Sequence, residues 1–276
     1  MRSILGAALA LLLCEFPLLT YAQQATPDGQ PSAAGPTAEE ISKAAVNPFA
    51  DYIKLPFEFT TAFDSGEHHN ASAALNFQPL LPLTLSKDWL LLVRPSVSAI
   101  YVPAPHEQYG MGELQTSFFL TPAGEKTWVL GAGPIFQFPT ASARSLGTGR
   151  WSAGPTAGIV YSEGPWFAGV LSYHLMSFAG DRERGSVNET SFEPEVSYTF
   201  DNGTYVQCDP TMTYDWTAER SDAWTVPAGL DFGTSMKLGS QDLTLQIGSY
   251  DLAIHPTGAP QWIVRASGTL LFSSRP

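Results

Sequence analysis

The stretch Asn188-Glu189-Thr190-Ser191-Phe192-Glu193-Pro194-Glu195-Val196-Ser197-Tyr198-Thr199-Phe200, followed by Asp201-Asn202-Gly203 and then Thr204-Tyr205-Val206-Gln207-Cys208-Asp209, decides the fold. Phe192, Val196, Tyr198 and Phe200 fall on one face of an extended chain, and Glu189, Ser191, Glu193, Glu195 and Ser197 on the other. Side chains alternate sides along a strand, so this period of two marks a strand with one apolar and one polar face. Asn202-Gly203 is a tight-turn signal, and the alternation resumes behind it. Val206, Cys208, Met212, Tyr214 and Trp216 oppose Gln207, Asp209, Thr211, Thr213 and Asp215.

The same pattern runs outward in both directions. Trp224, Val226, Ala228, Leu230 and Phe232 oppose Thr225, Gly229, Asp231 and Ser235, and Leu243, Leu245 and Ile247 oppose Asp242, Thr244 and Gln246. Trp262, Val264, Ala266, Leu270 and Phe272 oppose Arg265, Ser267 and Thr269. From Asp51 onward twelve such segments can be placed, at 53–64, 70–81, 89–101, 110–121, 126–138, 149–162, 165–177, 187–200, 204–217, 223–237, 241–253 and 260–272.

A soluble sandwich alternates too, but its strands average about five or six residues. These segments match the roughly 9 to 11 residues that a tilted strand needs to cross a bilayer. Aromatics gather at segment ends: Trp89, Tyr101, Trp128, Phe138, Trp151, Tyr161, Trp166, Phe200, Tyr205, Trp216, Trp224, Tyr250, Trp262 and Phe272. Aromatic girdles occupy such positions in outer-membrane barrels. The expected fold is all-β, a transmembrane antiparallel up-and-down barrel of about twelve strands. Short turns fall at Ser162-Glu163-Gly164, Asp201-Asn202-Gly203 and Lys237 to Gln241, on one side; the longest connections, Pro139 to Gly149 and Phe178 to Ser186, fall on the other. Pro82 to Lys87 reads as a longer turn on the short-turn side.

The start of the chain is different. Arg2 precedes an apolar run from Ile4 to Thr20, and Thr20-Tyr21-Ala22 has the small residues of a cleavage site. Residues 1–22 therefore read as a secretory signal peptide, exported through the Sec pathway. Residues 23–50 read as a linker with a short helix, because Thr37-Ala38-Glu39-Glu40 has the spacing of a capping box and Asn47-Pro48 stops the run. That helix lies at the barrel mouth or plugs it. Residues 51–276 form the barrel. After signal removal only Cys208 remains, so no internal disulfide can form.

The formal net charge is −12 and only 14% of residues are charged. Acidity excludes nucleic acid as a partner, and the low charge content departs from the ~25% of an ordinary soluble domain. No segment after the signal reaches the roughly 18 to 20 apolar residues of a membrane helix. The expected partners are outer-membrane lipids, the barrel-assembly machinery, which reads a terminal aromatic such as Phe272, and a small solute.

Several stretches resemble a known family. They are Asn47-Pro48-Phe49-Ala50, Leu75-Asn76-Phe77-Gln78-Pro79, Gly131-Ala132-Gly133-Pro134, Phe138-Pro139-Thr140-Ala141, Leu146 to Pro155, Ser177-Phe178-Ala179-Gly180-Asp181 and Trp224-Thr225-Val226-Pro227. The chain is similar, over nearly all of its mature length, to the proteobacterial outer-membrane family labelled MetA-pathway of phenol degradation, whose members are often called transporters. The resemblance implies an outer-membrane barrel linked to uptake of aromatic or other hydrophobic compounds. Its motifs name no chemistry.

The candidate site is the inner face. Glu58, Arg94, Glu113, Glu193, Glu195, Asp209, Asp215, Asp231 and Arg265 all have the inward parity. They read either as a pore lining or as an ion-pair network that fills a narrow barrel. The corresponding functions are a channel for small solutes, including hydrophobic or aromatic ones, and a structural or surface-interaction barrel with a blocked lumen. A hydrophobic solute needs an apolar path, and Pro56, Pro95, Pro194, Pro210 and Pro227 mark places where a ladder can part. His68-His69 diverge on an extended loop and do not make a metal site. An outer-membrane hydrolase needs a Ser beside a His; Ser172 and His174 share parity but lie about 7 Å apart along one strand. No cofactor, metal or catalytic residue is expected.

Overall fold

The computed structural model describes residues 36–65, 70–103, 107–124 and 126–273. The signal-peptide region, His68 and His69 lie outside them. Among the described residues the α-helix α1 (Ala38–Val46) precedes fifteen strands. These are β1 (Tyr52–Ser65), β2 (Asn70–Phe77), β3 (Leu81–Thr84), β4 (Trp89–Val102), β5 (Gln108–Met111), β6 (Leu114–Pro122), β7 (Trp128–Phe138), β8 (Arg150–Glu163), β9 (Trp166–Gly180), β10 (Asn188–Thr199), β11 (Thr204–Cys208), β12 (Met212–Asp215), β13 (Trp224–Leu238), β14 (Gln241–Ile254) and β15 (Trp262–Ser273). Three pairs, β2 with β3, β5 with β6 and β11 with β12, are single spans that break and resume, so the wall has twelve spans. All pair antiparallel, and β15 closes onto β1 with Phe59 opposite Ala266. Closure joins the outermost strands of the sheet, so that only local gaps in the ladder remain.

Two of the three breaks have a covalent cause. Pro79 and Pro210 lack the N–H that a ladder needs. At the second break the register survives but the pairing does not. Gln207 faces Asp231 and Thr213 faces Thr225, while 208–212 and 226–230 between them are unpaired with each other. Pro194 on β10 stands at the same level and Pro227 on β13 sits at a register shift. Pro56 and Pro95, by contrast, remain within paired ladders, opposite Thr269 and Thr116.

Connections are short at the end of the barrel that carries both described chain ends, termed here the terminal end: 85–88, 164–165, 200–203 and 239–240. Gly203 and Gly239 turn the chain there with φ of 80° and 66°, in the left-handed region that glycine tolerates. At the opposite, loop end they lengthen to 139–149, 181–187, 216–223 and 255–261. The turn expected at Pro82 to Lys87 is shorter than its sequence suggests, because Leu81–Thr84 pairs with Leu90–Val93 as a strand. Proline is tolerated there because β3 pairs continuously on one side only.

The outward face is apolar: Phe192, Phe232 and Ile247 are 45%, 57% and 59% exposed. Cross-strand aromatic pairs ring both ends. Phe63 stacks on Trp262 at 4.0 Å, Tyr101 on Tyr109 at 5.3 Å, and Tyr214 meets Trp224 at 4.9 Å at the loop end. Trp128 meets Tyr161 and Trp166 meets Tyr198, each at 4.9 Å, at the terminal end. Two of the expected girdle aromatics belong elsewhere: Tyr205 and Tyr250 are 2% and 1% exposed and point inward. The parity of Tyr250 with Thr244 and Gln246 requires this.

The buried apolar core also lies inside the barrel, at its terminal end. It unites Val46 and Phe49 with Leu80, Leu90, Leu92, Phe119, Val160, Phe167 and Leu171. This arrangement inverts part of the expected polar lumen.

Candidate functional site

The lumen is built in two tiers. At the terminal end, residues 37–50 enter it. Thr37 caps α1 with both bonds of the capping box: Glu40 N donates to Thr37 Oγ1 at 3.2 Å, and Thr37 N donates to Glu40 Oε2 at 2.7 Å. Ser42, fully buried, donates to Gly203 O at 2.6 Å and meets Ser235 Oγ at 2.7 Å, and the Ser235 and Thr244 hydroxyls pair at 2.7 Å. The helix therefore lies against the inner wall of β13 and β14. Pro48 prevents its continuation, and Phe49 crosses to the opposite wall. There its ring meets Phe119 edge-on at 5.5 Å. A Cβ on Gly131 would stand 2.4 Å from the Phe49 ring, and one on Gly158 3.1 Å from it, so the two glycines form the recess that admits the ring. Lys54, 5% exposed on β1, donates from Nζ to Ala45 O at 2.9 Å and to Asn47 O at 2.5 Å. Its charge thus answers the carbonyls and the negative dipole end of α1. The helix plugs the terminal end of the barrel.

Above the plug the lining is polar. Asp231 on β13, Gly248 on β14 and Arg265 on β15 stand at one level as register partners. A Cβ on Gly248 would fall 1.9 Å from Asp231 Oδ1. The missing side chain lets Arg265 reach across the intervening strand. Arg265 Nε donates to Asp231 Oδ1 at 2.7 Å and Nη2 to Oδ2 at 2.5 Å, a bidentate pair on a carboxylate that is 0% exposed. Arg265 also bonds Asp209, and its guanidinium lies 4.6 Å from the Tyr250 ring centre. Tyr250 Oη donates to Asp209 Oδ1 at 2.8 Å, lies against Asp231, and accepts from Asp209 N at 3.2 Å.

A cavity of about 400 Å³ occupies the middle of the lumen, floored by Ala45, Val46 and Pro48. Six of the nine expected lining residues reach it: Glu58, Arg94, Glu193, Glu195, Asp209 and Arg265. Arg94 Nη2 donates to Gln78 Oε1 at 2.9 Å, Gln207 Nε2 donates to Glu195 at 3.0 Å, and Glu58 accepts from Thr60 Oγ1 at 3.2 Å.

The other three have different places. Asp231 is sealed behind the cavity by Arg265. Glu113 is a loop anchor, accepting from Gln137 Nε2 at 2.8 Å, Thr148 Oγ1 at 2.8 Å and Gly149 N at 2.7 Å, and so ties the 139–149 loop to the mouth. Asp215 accepts from Thr217 N at 2.8 Å and Thr217 Oγ1 at 2.7 Å and shapes the start of the 216–223 loop. Inward parity holds for them, but near a rim the nearest donors belong to loops. Lys54, Gln207, Gly248 and Phe49 belong to the site although no charge pattern in the sequence marks them as lining residues. Lys54 shares parity with Glu58, so its inward aim was available; its partner helix was not.

Among the described residues no group of three or more His, Cys, Asp or Glu is placed to hold a metal ion. Ser172 donates to Ser191 O at 2.7 Å, and His174 Nδ1 pairs with Thr190 Oγ1 at 2.8 Å, so the Ser and His of the hydrolase reading do not meet.

Comparison with solved structures supports the architecture. The COG4313 outer membrane channel of Pseudomonas putida F1 superposes with a TM-score of 0.60 at 15% identity, covering 80% of this chain and 95% of that one. The NanC porin gives 0.51 at 10% identity, covering 80% and 98%. At such identities the likeness establishes the fold alone, a closed antiparallel β-barrel. No protein-family model and no curated protein matches the chain. The phenol-degradation family suggested by the motifs is therefore not confirmed.

Proposed function

We propose that this protein is an outer-membrane channel of a Gram-negative cell that admits small polar solutes into its lumen and is shut at the terminal end by α1 and Phe49. The observation that carries the reading is the inversion of polarity across one wall. An apolar outer face between two aromatic bands encloses a cavity lined by carboxylates and guanidinium groups. A wall of this kind suits hydrocarbon outside and water inside. In this reading residues 1–22 are a cleaved export signal, membrane lipids surround the barrel, and the assembly machinery closes β15 onto β1. The charged lining favours polar over hydrophobic cargo. A phenolic or other hydrophobic solute would need the unpaired seam between 208–212 and 226–230 as a side path.

The plug favours a second reading, a blocked barrel whose loops carry the function. Planar-bilayer recording separates the two. The channel reading expects small conductance steps that grow when residues 36–50 are deleted. A folded, heat-modifiable barrel that stays silent with and without those residues would sink it. A hydrolytic activity has less support, since the Ser and His that would serve it are bonded to other groups.

A further inference from the structure

Apart from the Arg265–Asp209 pair, the charges of both signs that line the polar cavity form no direct ion pair among the described residues. Among the described residues no carboxylate lies within ion-pair distance of Arg94, which donates to the Gln78 amide oxygen. Glu193 and Glu195 likewise have no cationic partner within that distance; Glu193 receives only Ser191 Oγ at 3.4 Å. Arg265 cannot serve them, because Asp209 and Asp231 occupy it. Lys54 is held by the backbone of the plug.

A second observation points the same way. Gln207 is 6% exposed and lines the cavity, and its Oε1 has no hydrogen-bond partner among the described residues. A buried carbonyl left without a donor costs about 1–3 kcal/mol, so such an atom in a cavity wall implies a donor that arrives from outside the chain. Glu195 receives the other end of this same amide. Glu195 and Gln207 Oε1 are thus adjoining acceptors, and Glu193 stands two residues from Glu195 on the same inward face of β10. Arg94 offers donors, and it shares with Glu193 the lining of both the main cavity and an adjoining space of about 100 Å³. That smaller space adds Phe119, Ile135 and Tyr173.

We infer that the lumen holds a binding site for a small zwitterion, an amino acid in chemical class, with its ammonium group on Glu193, Glu195 and Gln207 and its carboxylate on Arg94. Such a molecule supplies donors to these acceptors and an acceptor to the guanidinium at once. A simple cation leaves Arg94 unanswered, and a simple anion meets the carboxylates. The main cavity is of the size usual for small-molecule sites, about 300–1,000 Å³. The ligand class rests on the channel reading for its delivery, but the site itself does not.

Saturation-transfer NMR on the full chain in detergent micelles tests the site, with serine, ethanolamine and lactate as probes of similar size. Heat-modifiable migration confirms that each variant is folded. Serine should give the strongest signal. Arg94→Gln should weaken serine on the order of ten-fold, as expected for one charge-assisted bond, and more than it weakens ethanolamine. Glu193→Gln should weaken serine and ethanolamine alike and leave lactate no weaker. Absence of serine binding to the folded barrel, or binding that neither substitution changes, overturns the inference. Serine binding without any conductance in bilayers would leave the site standing and remove the channel. Conductance without serine binding would do the reverse.

Discussion

The two tiers of the lumen are filled by different physics. The terminal tier resembles a soluble core turned inside a barrel. Leu92, Phe119, Val160 and Phe167 are buried on Val46 and Phe49, and the helix above them is held by a capping box, one serine and one lysine. The upper tier is held by charge, with Arg265 between Asp209 and Asp231 and Tyr250 against all three. The difference teaches which parts can come out. An apolar plug joined to β1 by a short link can leave and take its contacts with it. A clamp that bonds β13 to β15 across β14 belongs to the wall and cannot leave without damaging it.

Substitutions sharpen the contrast, and the largest effect belongs to the clamp. Arg265→Leu leaves a fully buried carboxylate without its partner and should cost about 3–5 kcal/mol of barrel stability. Urea unfolding in micelles, followed by tryptophan fluorescence, would show it; a midpoint equal to that of the unaltered chain would mean that Asp231 finds another donor. Phe49→Ala comes next. Emptying the Gly131–Gly158 recess should remove about 3 kcal/mol of packing, paid by the plug and not by the wall. Unfolding of the barrel should therefore move little, while open time in bilayers rises. A drop in stability without a change in gating would assign the plug to the wall after all. Ser42→Ala is the mildest, at about 1 kcal/mol, and should raise open time by a few-fold at most. An effect as large as that of Phe49→Ala would place the latch at the helix instead of the ring.

The difference between the tiers also explains what the sequence discloses. Alternation is local, and all twelve spans and their inward parity follow from it, down to Glu58 and Arg265. The register of a strand is fixed by which face must be apolar, and that constraint is written in each segment. Position near a segment end suggests the girdle for Tyr205 and Tyr250, but their parity places them inside. Gly248 is legible only after the register is known, because its role is to be absent between Asp231 and Arg265. Glu113 and Asp215 bond to loops whose path no periodicity encodes. For Phe49 the Asn47-Pro48 stop predicts the end of the helix, but the recess opposite lies some eighty and more residues further along the chain, at Gly131 and Gly158. Contacts of that kind depend on closure of the whole barrel.

The short link between α1 and β1, residues 47–51, has a consequence for how the seal behaves. A plug released from the lumen stays tethered within a few residues of the mouth, where a short linker maintains an effective local concentration in the millimolar range or above. The seal is then a covalently supplied ligand that competes for its own receptor. Its occupancy is a fixed ratio set by one equilibrium, independent of how many barrels the membrane holds. A free peptide copied from residues 37–50 would have to reach that same concentration before it could replace the original.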